Sequence, residues 1–390
     1  MTLRFLTSGE SHGPALVAIL EGLPAGIPIS SEAINAELTR RQQGYGSGPR
    51  MKIERDTARI LGGVMAGLST GAPVAIVIEN RDHEKWHGRS VPPFTIPRPG
   101  HADLTSALKY RYRDLRIGLE RASARETAAR VAVGAVCKIF LLQFGVRVGG
   151  YVTAIGEVEA NLETIPHEER FLKAEQSDVR CPDFQAAQLM RAKIQETMQA
   201  RDTLGGVIEV VALGLPPGLG SHVHWDRRLE SRIGAAVLSV QAIKGVEIGL
   251  AFEIAHKLGT QSQDGIELQG EDLLRTSLNS GGLEGGITTG QPLIVRAAMK
   301  PISTTLTPQQ TVDLTKGVQV ATQYERSDFC PVPRAVVVVE SMLAFVLADA
   351  LLEKLGGDSL QEIHPRFERL ARAHLSDLEM DDHEHVFWPD

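Results

Sequence analysis

The sequence predicts a mixed α/β fold of the α+β kind, gathered into one domain by an internal duplication. Three observations carry that prediction. Helical and strand-like patterns alternate along the 390 residues, and 43% hydrophobic with 23% charged side chains suffices for one sizeable core. No low-complexity linker divides the chain. Two short patterns also occur twice, in the same order. Gly22-Leu-Pro-Ala-Gly26 returns as Gly214-Leu-Pro-Pro-Gly218, each after an apolar β-like run (16–20 and 207–213). GGVMAGLSTGAPVAIVI from Gly62 returns as GGLEGGITTGQPLIVRA from Gly281, with glycines, Thr-Gly and proline in register. Shared turn chemistry accounts for either match alone. Both together imply a duplicated unit whose halves pack about a pseudo-two-fold axis, with a longer connection inside the second copy.

Taken in chain order, the first strand-like run is 3–7, followed by a helix over 31–43 and a strand over 74–78. Residues 81–99, with Trp86, two histidines and four prolines, read as a long loop of the length that usually serves function. A helix is expected over 123–144, because Ser123-Ala-Arg-Glu126 matches the S-x-x-E capping box. Strands at 146–155, 207–213, 246–252 and 293–298 alternate with helices at 183–200 and 226–240. The last helix spans 333–355; Glu340, Ser341 and Asp349 interrupt its apolar run, so it reads as a buried core helix rather than a membrane span. Residues 1–378 form the expected domain, and 379–390 an acidic, mobile tail.

Composition narrows the partners. Net charge is −7 and aromatics are only 5%, which argues against a base-stacking nucleic-acid surface. Local arginine clusters on an acidic background suit a small polyanion instead. Cys137, Cys181 and Cys330 form no C-x-x-C pair and fit a reducing compartment; the N-terminus lacks an apolar signal segment, so a cytoplasmic protein is expected. His222 with His224 (read as one strand face) and His383 with His385 complete no ligand set of familiar spacing, so no metal is expected.

The segment 98–130 concentrates cations around a Pro-Gly turn carrying His101 and the helix start at Ser123. A helix N-terminus favours anions, and Arg121 and Arg125 beside it would strengthen such a site. A capped helix with solvent-facing arginines fits this segment equally well. His12, in the glycine-bracketed loop GESHG, is placed to give or take a proton near neutrality, or else to serve structure. Asp103 lies close enough in sequence to orient His101. Arg326-Ser-Asp328 precedes the last helix, and Lys300-Pro-Ile-Ser-Thr-Thr305 offers a cation and three hydroxyls to a phosphate. The glycine-rich loop from Arg40 and Arg41 to Arg50 is of the kind that closes over a phosphorylated ligand.

On these residues the sequence resembles the chorismate synthase family. GESHG, RPGHAD, LERASARETAARVAVGAV, GGLEGGITTGQP with MKPIST, and RSDFCPVPRAVVVVE follow in order from residue 3 to about 355. The resemblance implies a β-α-β sandwich, usually a homotetramer, that converts 5-enolpyruvylshikimate-3-phosphate to chorismate. That reaction is a 1,4-anti elimination of phosphate, the last common step toward the aromatic amino acids, and it requires reduced FMN without net redox change. His12 would protonate the departing phosphate, His101 would act on the reduced flavin, and Asp328 would assist removal of the C6 proton. Arg41, Arg50, Arg98, Arg125 and Arg326 match substrate-binding positions. Arg121, Ala122, Ser123, Gln241, Ala242, Gly285, Lys300, Pro301, Ile302, Ser303, Thr304 and Arg326 match FMN-binding ones. One departure is Ser47, where relatives commonly carry an arginine assigned, with the position of Arg41, to a nicotinamide nucleotide. NADPH is therefore expected only as an indirect reductant. With this resemblance, the anion site is the better reading of 98–130.

Overall fold

The computed structural model describes residues 2–47, 55–325 and 327–388. Alternation sets the first sheet. β1 (Arg4–Ser8) pairs antiparallel with β2 (Ala15–Glu21), which turns Leu16, Ala18 and Leu20 inward and leaves Ile19 exposed. The turn after β2 leads to α1 (Ser31–Gln42), whose N-cap Ser30 accepts from Ala33 N–H and whose buried face is Ile34, Leu38 and Arg41. Next come β3 (Ala58–Gly62), the small hairpin of β4 (Val64–Met65) and β5 (Leu68–Ser69), and β6 (Val74–Glu79). The sheet order is β1-β2-β6-β3.

The middle of the chain supplies α2 (Asp103–Tyr110), α3 (Arg116–Ala122) and the long α4 (Thr127–Leu142). β7 (Arg147–Ile155) and the short β8 (Val158–Glu159) are followed by α5 (His167–Gln176) and α6 (Phe184–Gln199). The chain continues with β9 (Gly206–Leu213), α7 (Leu229–Leu238), β10 (Ile243–Ile248), the hairpin β13 (Leu283–Glu284) and β14 (Ile287–Thr288), and β15 (Leu293–Met299). Between β10 and β13 lies an excursion of α8 (Ala251–Ile254), α9 (Gly259–Ser262), β11 (Ile266–Gln269) and β12 (Asp272–Arg275), which is the extra length of the second copy. The hairpin β16 (Gln310–Asp313) and β17 (Val318–Ala321), then α10 (Val332–Leu355) and α11 (Leu360–Glu368), complete the fold.

The second sheet runs β10-β15-β9-β7-β8, so its first four strands follow the same antiparallel order as the first sheet, taken from the other edge. Backbone geometry accounts for the glycines shared by the two GG patterns. Gly63 and Gly282 have φ of +83° and +86°, and a Cβ there would sit 2.5 Å from Pro73 O and 2.4 Å from Pro292 O. Helices α4 and α10 pack together; α4 lies on β2 and β6 and α10 on β7 and β9, giving sheet, helices, sheet in layers. One continuous set of buried side chains runs from Leu3 to Phe367.

α10 is long and apolar enough to cross a membrane, yet its most apolar 18 residues are 89% buried inside the protein, as its interrupting polar residues implied. Its Glu340 is fully buried and paired with Arg40 and Lys138, which bridge α10 to α1 and α4. Burial alone would raise this carboxyl; the charges of Arg40 and Lys138 hold it well below the usual carboxylate range. Its stabilising contribution is therefore complete above the unfolded-state value and is lost as pH falls through the folded-state value. We expect Glu340→Gln to cost about 3–5 kcal/mol near neutrality by breaking a buried pair. In urea unfolding, the gap to the parent should narrow as pH falls from about 5 to about 3.

Several boundaries shift. The helix expected over 123–144 begins as a 3-10 turn, Ala124–Glu126, capped by Ser123, and α4 proper starts at Thr127. The capping box is not formed: Glu126 turns instead to Thr7 Oγ1, Arg130 and Gln241 Nε2. The long loop 81–99 contains a 3-10 turn, Arg81–Lys85. The 226–240 helix is preceded by another 3-10 turn, Trp225–Arg227, and the 246–252 strand gives way to α8. His222 and His224 lie outside any strand, and His224 Nδ1 is 2.6 Å from Asp226 Oδ1. Among the described residues, no group of three or more metal-ligating side chains comes together.

Candidate active site

Where the two units meet, loops and helix ends close around a cavity of about 560 Å³. The first wall is the loop 9–13 between β1 and β2. Gly9 has φ +108°, and a Cβ there would lie 2.3 Å from Ala15 O, so only glycine lets the chain turn this tightly. Asn80 Nδ2 donates to Glu10 O and Gly13 O, and His83 Nδ1 to His12 O, which hold the loop from behind. His12 thus faces the cavity with its ring against Trp86, centroids 4.5 Å apart. Its Nδ1 is 2.6 Å from Glu120 Oε1.

The Pro99-Gly100 turn, leading into α2, presents the second histidine. His101 Nδ1 lies 2.5 Å from Asp103 Oδ1, and Arg98 donates to the same carboxylate through Nε and Nη2. Burial alone would raise Asp103, but the hydrogen bonds from His101 and Arg98 hold it well below the ordinary range. An ionised carboxylate only accepts, so Nδ1 carries the proton of this pair. Asp103 orients the ring, as its spacing suggested. Arg98 is committed to Asp103 and Thr304 Oγ1, with its Nη2 3.3 Å from His101 Nε2, so it is the anchor of this pair as well as a lining residue.

The cations come from several elements. Arg41, at the end of α1, donates to Thr127 Oγ1 and Ala124 O, with Asp56 Oδ2 at 3.4 Å. Burial pushes its guanidinium down to about 10; Asp56 opposes this, while the Arg125 and Arg334 charges add to it. Arg125 donates to Asn80 Oδ1 and Asp56 Oδ1, and its buried Nη2 has no hydrogen-bond partner among the described residues. Lys300 Nζ donates to Gly100 O. Asp328 Oδ2 accepts from Arg334 Nη1 at 2.7 Å. Crowded, desolvated cations of this kind gain most from a bound anion.

Of the residues singled out in the sequence, the cavity brings together His12, His101, Asp328, Arg41, Arg98, Arg125, Ala122, Ser123, Gln241, Ala242, Lys300, Ile302, Ser303 and Thr304. Three are placed elsewhere. Arg121 donates to Thr7 O on the exposed side, Gly285 turns the β13–β14 hairpin, and Pro301 lines an adjoining depression with Lys300 and Ser303. Arg50 and Arg326 lie outside the described residues. The cavity adds Ser11, Trp86, Leu119, Met299, Glu325, Ser327 and Arg334. Of these, Arg334 carried a signal: it follows Asp328 by six residues within the quoted RSDFCPVPRA motif.

A pocket that sets two histidine–carboxylate pairs and a third carboxylate among excess cations is of the class with which enzymes move protons on a small polyanion. The family model described as chorismate synthase matches residues 3–352. The chorismate synthase of Aquifex aeolicus is 53% identical over 384 residues, covering 94% of this chain and 96% of that protein. That of Symbiobacterium thermophilum is 50% identical, covering 95% and 100%. A crystal structure of chorismate synthase superposes with a TM-score of 0.78 at 47% identity, covering 94% of this chain and 97% of that one. The chain belongs to the chorismate synthase family, and it is a lyase.

Proposed function

We propose that this chain eliminates phosphate from 5-enolpyruvylshikimate-3-phosphate to give chorismate, with reduced FMN bound beside the substrate. The observation that carries this reading is the convergence of His12, His101 and Asp328 on one cavity with Arg41, Arg125, Lys300 and Arg334. A substrate bearing two carboxylates and a phosphate matches that surplus of positive charge. The residues also fit the flavin. Leu119, Ala122, Ala242, Met299 and Ile302 offer apolar wall to a flat ring, and the buried Gln241 Oε1 is an acceptor with no partner among the described residues. Lys300, Ser303 and Thr304 offer a cation and hydroxyls to its phosphate.

Reduced FMN, when bound, supplies electron density at the reacting centre and assists C6 deprotonation without net redox change. His12 donates a proton from Nε2 to the departing phosphate, while its other proton stays on Nδ1, hydrogen-bonded to Glu120. His101, fixed by Asp103 and Arg98, maintains the protonation of the flavin side. Asp328 assists removal of the C6 proton, with Arg334 steadying its carboxylate. Arg41 and Arg125, joined through Asp56, hold substrate anions. Turnover measured anaerobically with reduced FMN, with oxidised FMN and without flavin tests this. Chorismate is expected in the first case alone; binding of flavin and substrate without product would mark a sensor instead.

Ser47 Oγ donates to Gly44 O and Arg41 is buried in contacts of its own, which supports NADPH as an indirect reductant at most. NADPH consumption with added FMN and no separate reductase is accordingly expected to stay at background.

The repeated topology and the layered sheets support a duplicated β-α-β sandwich with a pseudo-two-fold axis between its halves. They also point to assembly. The outer face of the second sheet is covered by α5, with Phe171 packed on a cluster around Tyr151. On the first sheet the cross-strand neighbours Leu6 and Ile19 remain 69% and 40% exposed, and Leu61 55%. We infer that copies of this chain pack through that face in a homotetramer. Light scattering is expected to give four chains, and Leu6→Asp with Ile19→Asp to give smaller species. The three buried, free cysteines suit the reducing cytoplasm proposed as its location.

A further inference from the structure

Both histidines of the cavity rest on a carboxylate through Nδ1, but the two carboxylates arrive differently. Asp103 belongs to the same turn as His101. Glu120 comes from α3, more than a hundred residues along the chain from His12, and it grips the loop at several points. Its Oε2 accepts the main-chain N–H of His12 at 2.7 Å, its Oε1 faces the ring Nδ1 at 2.6 Å, and its carbonyl accepts Ser11 N–H at 3.1 Å. Trp86 lies against the same ring, His83 holds His12 O, and Asp82 Oδ2 stands 4.0 Å from Nε2. The imidazole is thus fixed at its main chain, at one nitrogen and on a face.

We propose that Glu120 is a positioning residue for the reaction: it keeps a proton on Nδ1 of His12, so that Nε2 is the nitrogen that gives its proton to the leaving phosphate. This rests on the reading of His12 as the acid. A carboxylate has no proton to offer, and with Oε2 held by the main chain, Oε1 can only accept from the ring. When the Nε2–H bond breaks, the proton passes to a phosphate oxygen and the electron pair stays on Nε2. The ring is left neutral with its remaining proton on Nδ1, facing Glu120. Without the carboxylate, the proton of the neutral ring is free to reside on either nitrogen, and the charged ring loses its counter-ion. Orientation of a catalytic histidine by a carboxylate on Nδ1 is a general device, so loss of that acceptor is costly even when shape is kept.

Glu120→Gln provides the test, because it keeps length and volume while replacing one acceptor oxygen by an amide donor. With the remaining oxygen on the main-chain N–H, the amide NH2 meets Nδ1 and forces it to accept. We expect kcat to fall about 10²–10⁴-fold, with substrate KM and FMN Kd changed by less than about threefold. In the His12→Ala background the same substitution should change kcat by less than about twofold, because there is no ring left to orient. A Glu120→Gln variant that keeps wild-type kcat, or one whose loss multiplies in full with that of His12→Ala, overturns the proposal and leaves Glu120 a structural clamp. Glu120→Asp, which keeps the carboxylate, should lose less kcat than Glu120→Gln; should the Gln variant not fold, the Asp variant is run through the same cycle and judged by the same coupling with His12→Ala. If His12→Ala alone turns over at the wild-type rate, the reading of His12 itself fails, and the role of Glu120 with it.

Discussion

His12→Ala is expected to lower kcat by about 10²–10⁴-fold while the protein still binds FMN, the effect of deleting one positioned proton donor. The residues proposed to face the flavin, Ala122, Ser123, Gln241 and Lys300, come from other elements than the loop 9–13, so their surface is expected to survive the substitution. His101→Ala should behave alike in kcat, with a difference in cause. It frees Arg98 and Asp103 to pair with each other alone, so the anchor remains and only the proton-bearing ring is lost. Anaerobic turnover beside a flavin-binding titration separates these outcomes from misfolding. Loss of flavin binding in both variants would assign the two histidines to structure.

Arg125→Ala should have the second large effect. The side chain links Asn80, which holds the loop of His12, to Asp56, which holds Arg41, and its Nη2 has no hydrogen-bond partner among the described residues. Truncating a buried, hydrogen-bonded charge typically costs about 2–5 kcal/mol, or roughly 30- to several-thousand-fold in kcat/KM if the loss is felt in the transition state. Arg125→Lys should recover little, because an ammonium cannot serve Asn80, Asp56 and an anion in one plane. Full kcat/KM in Arg125→Lys would show that charge alone, and not the fork, is what the cavity uses.

Much of the fold was legible because its causes are local. Gly63 and Gly282, the second glycines of the two GG patterns, both sit at positive φ, so the matching turns show in the letters. α10 announced itself by an apolar run broken by Glu340 and Asp349, and those residues prove to be its ties to Arg40, Lys138 and Arg232. What escaped notice depends on partners distant in sequence. The capping box at Ser123 was a sound local pattern, but Glu126 is drawn off by Thr7, Arg130 and Gln241, none of which its spacing could reveal. Asp56 and Glu120 looked like ordinary acids. Only the fold brings Asp56 between two arginines and Glu120 onto His12. Arg98 shows the reverse: its charge was plain, but its commitment to Asp103 and Thr304 was not.

The proposed elimination is tested most directly by one anaerobic single-turnover measurement with enzyme, reduced FMN and 5-enolpyruvylshikimate-3-phosphate, following phosphate, chorismate and the flavin spectrum together. Phosphate and chorismate are expected in equal amounts, with the flavin reduced at the end as at the start. Chorismate formed at the same rate without reduced flavin, or formed at the expense of flavin oxidised in proportion, would contradict it.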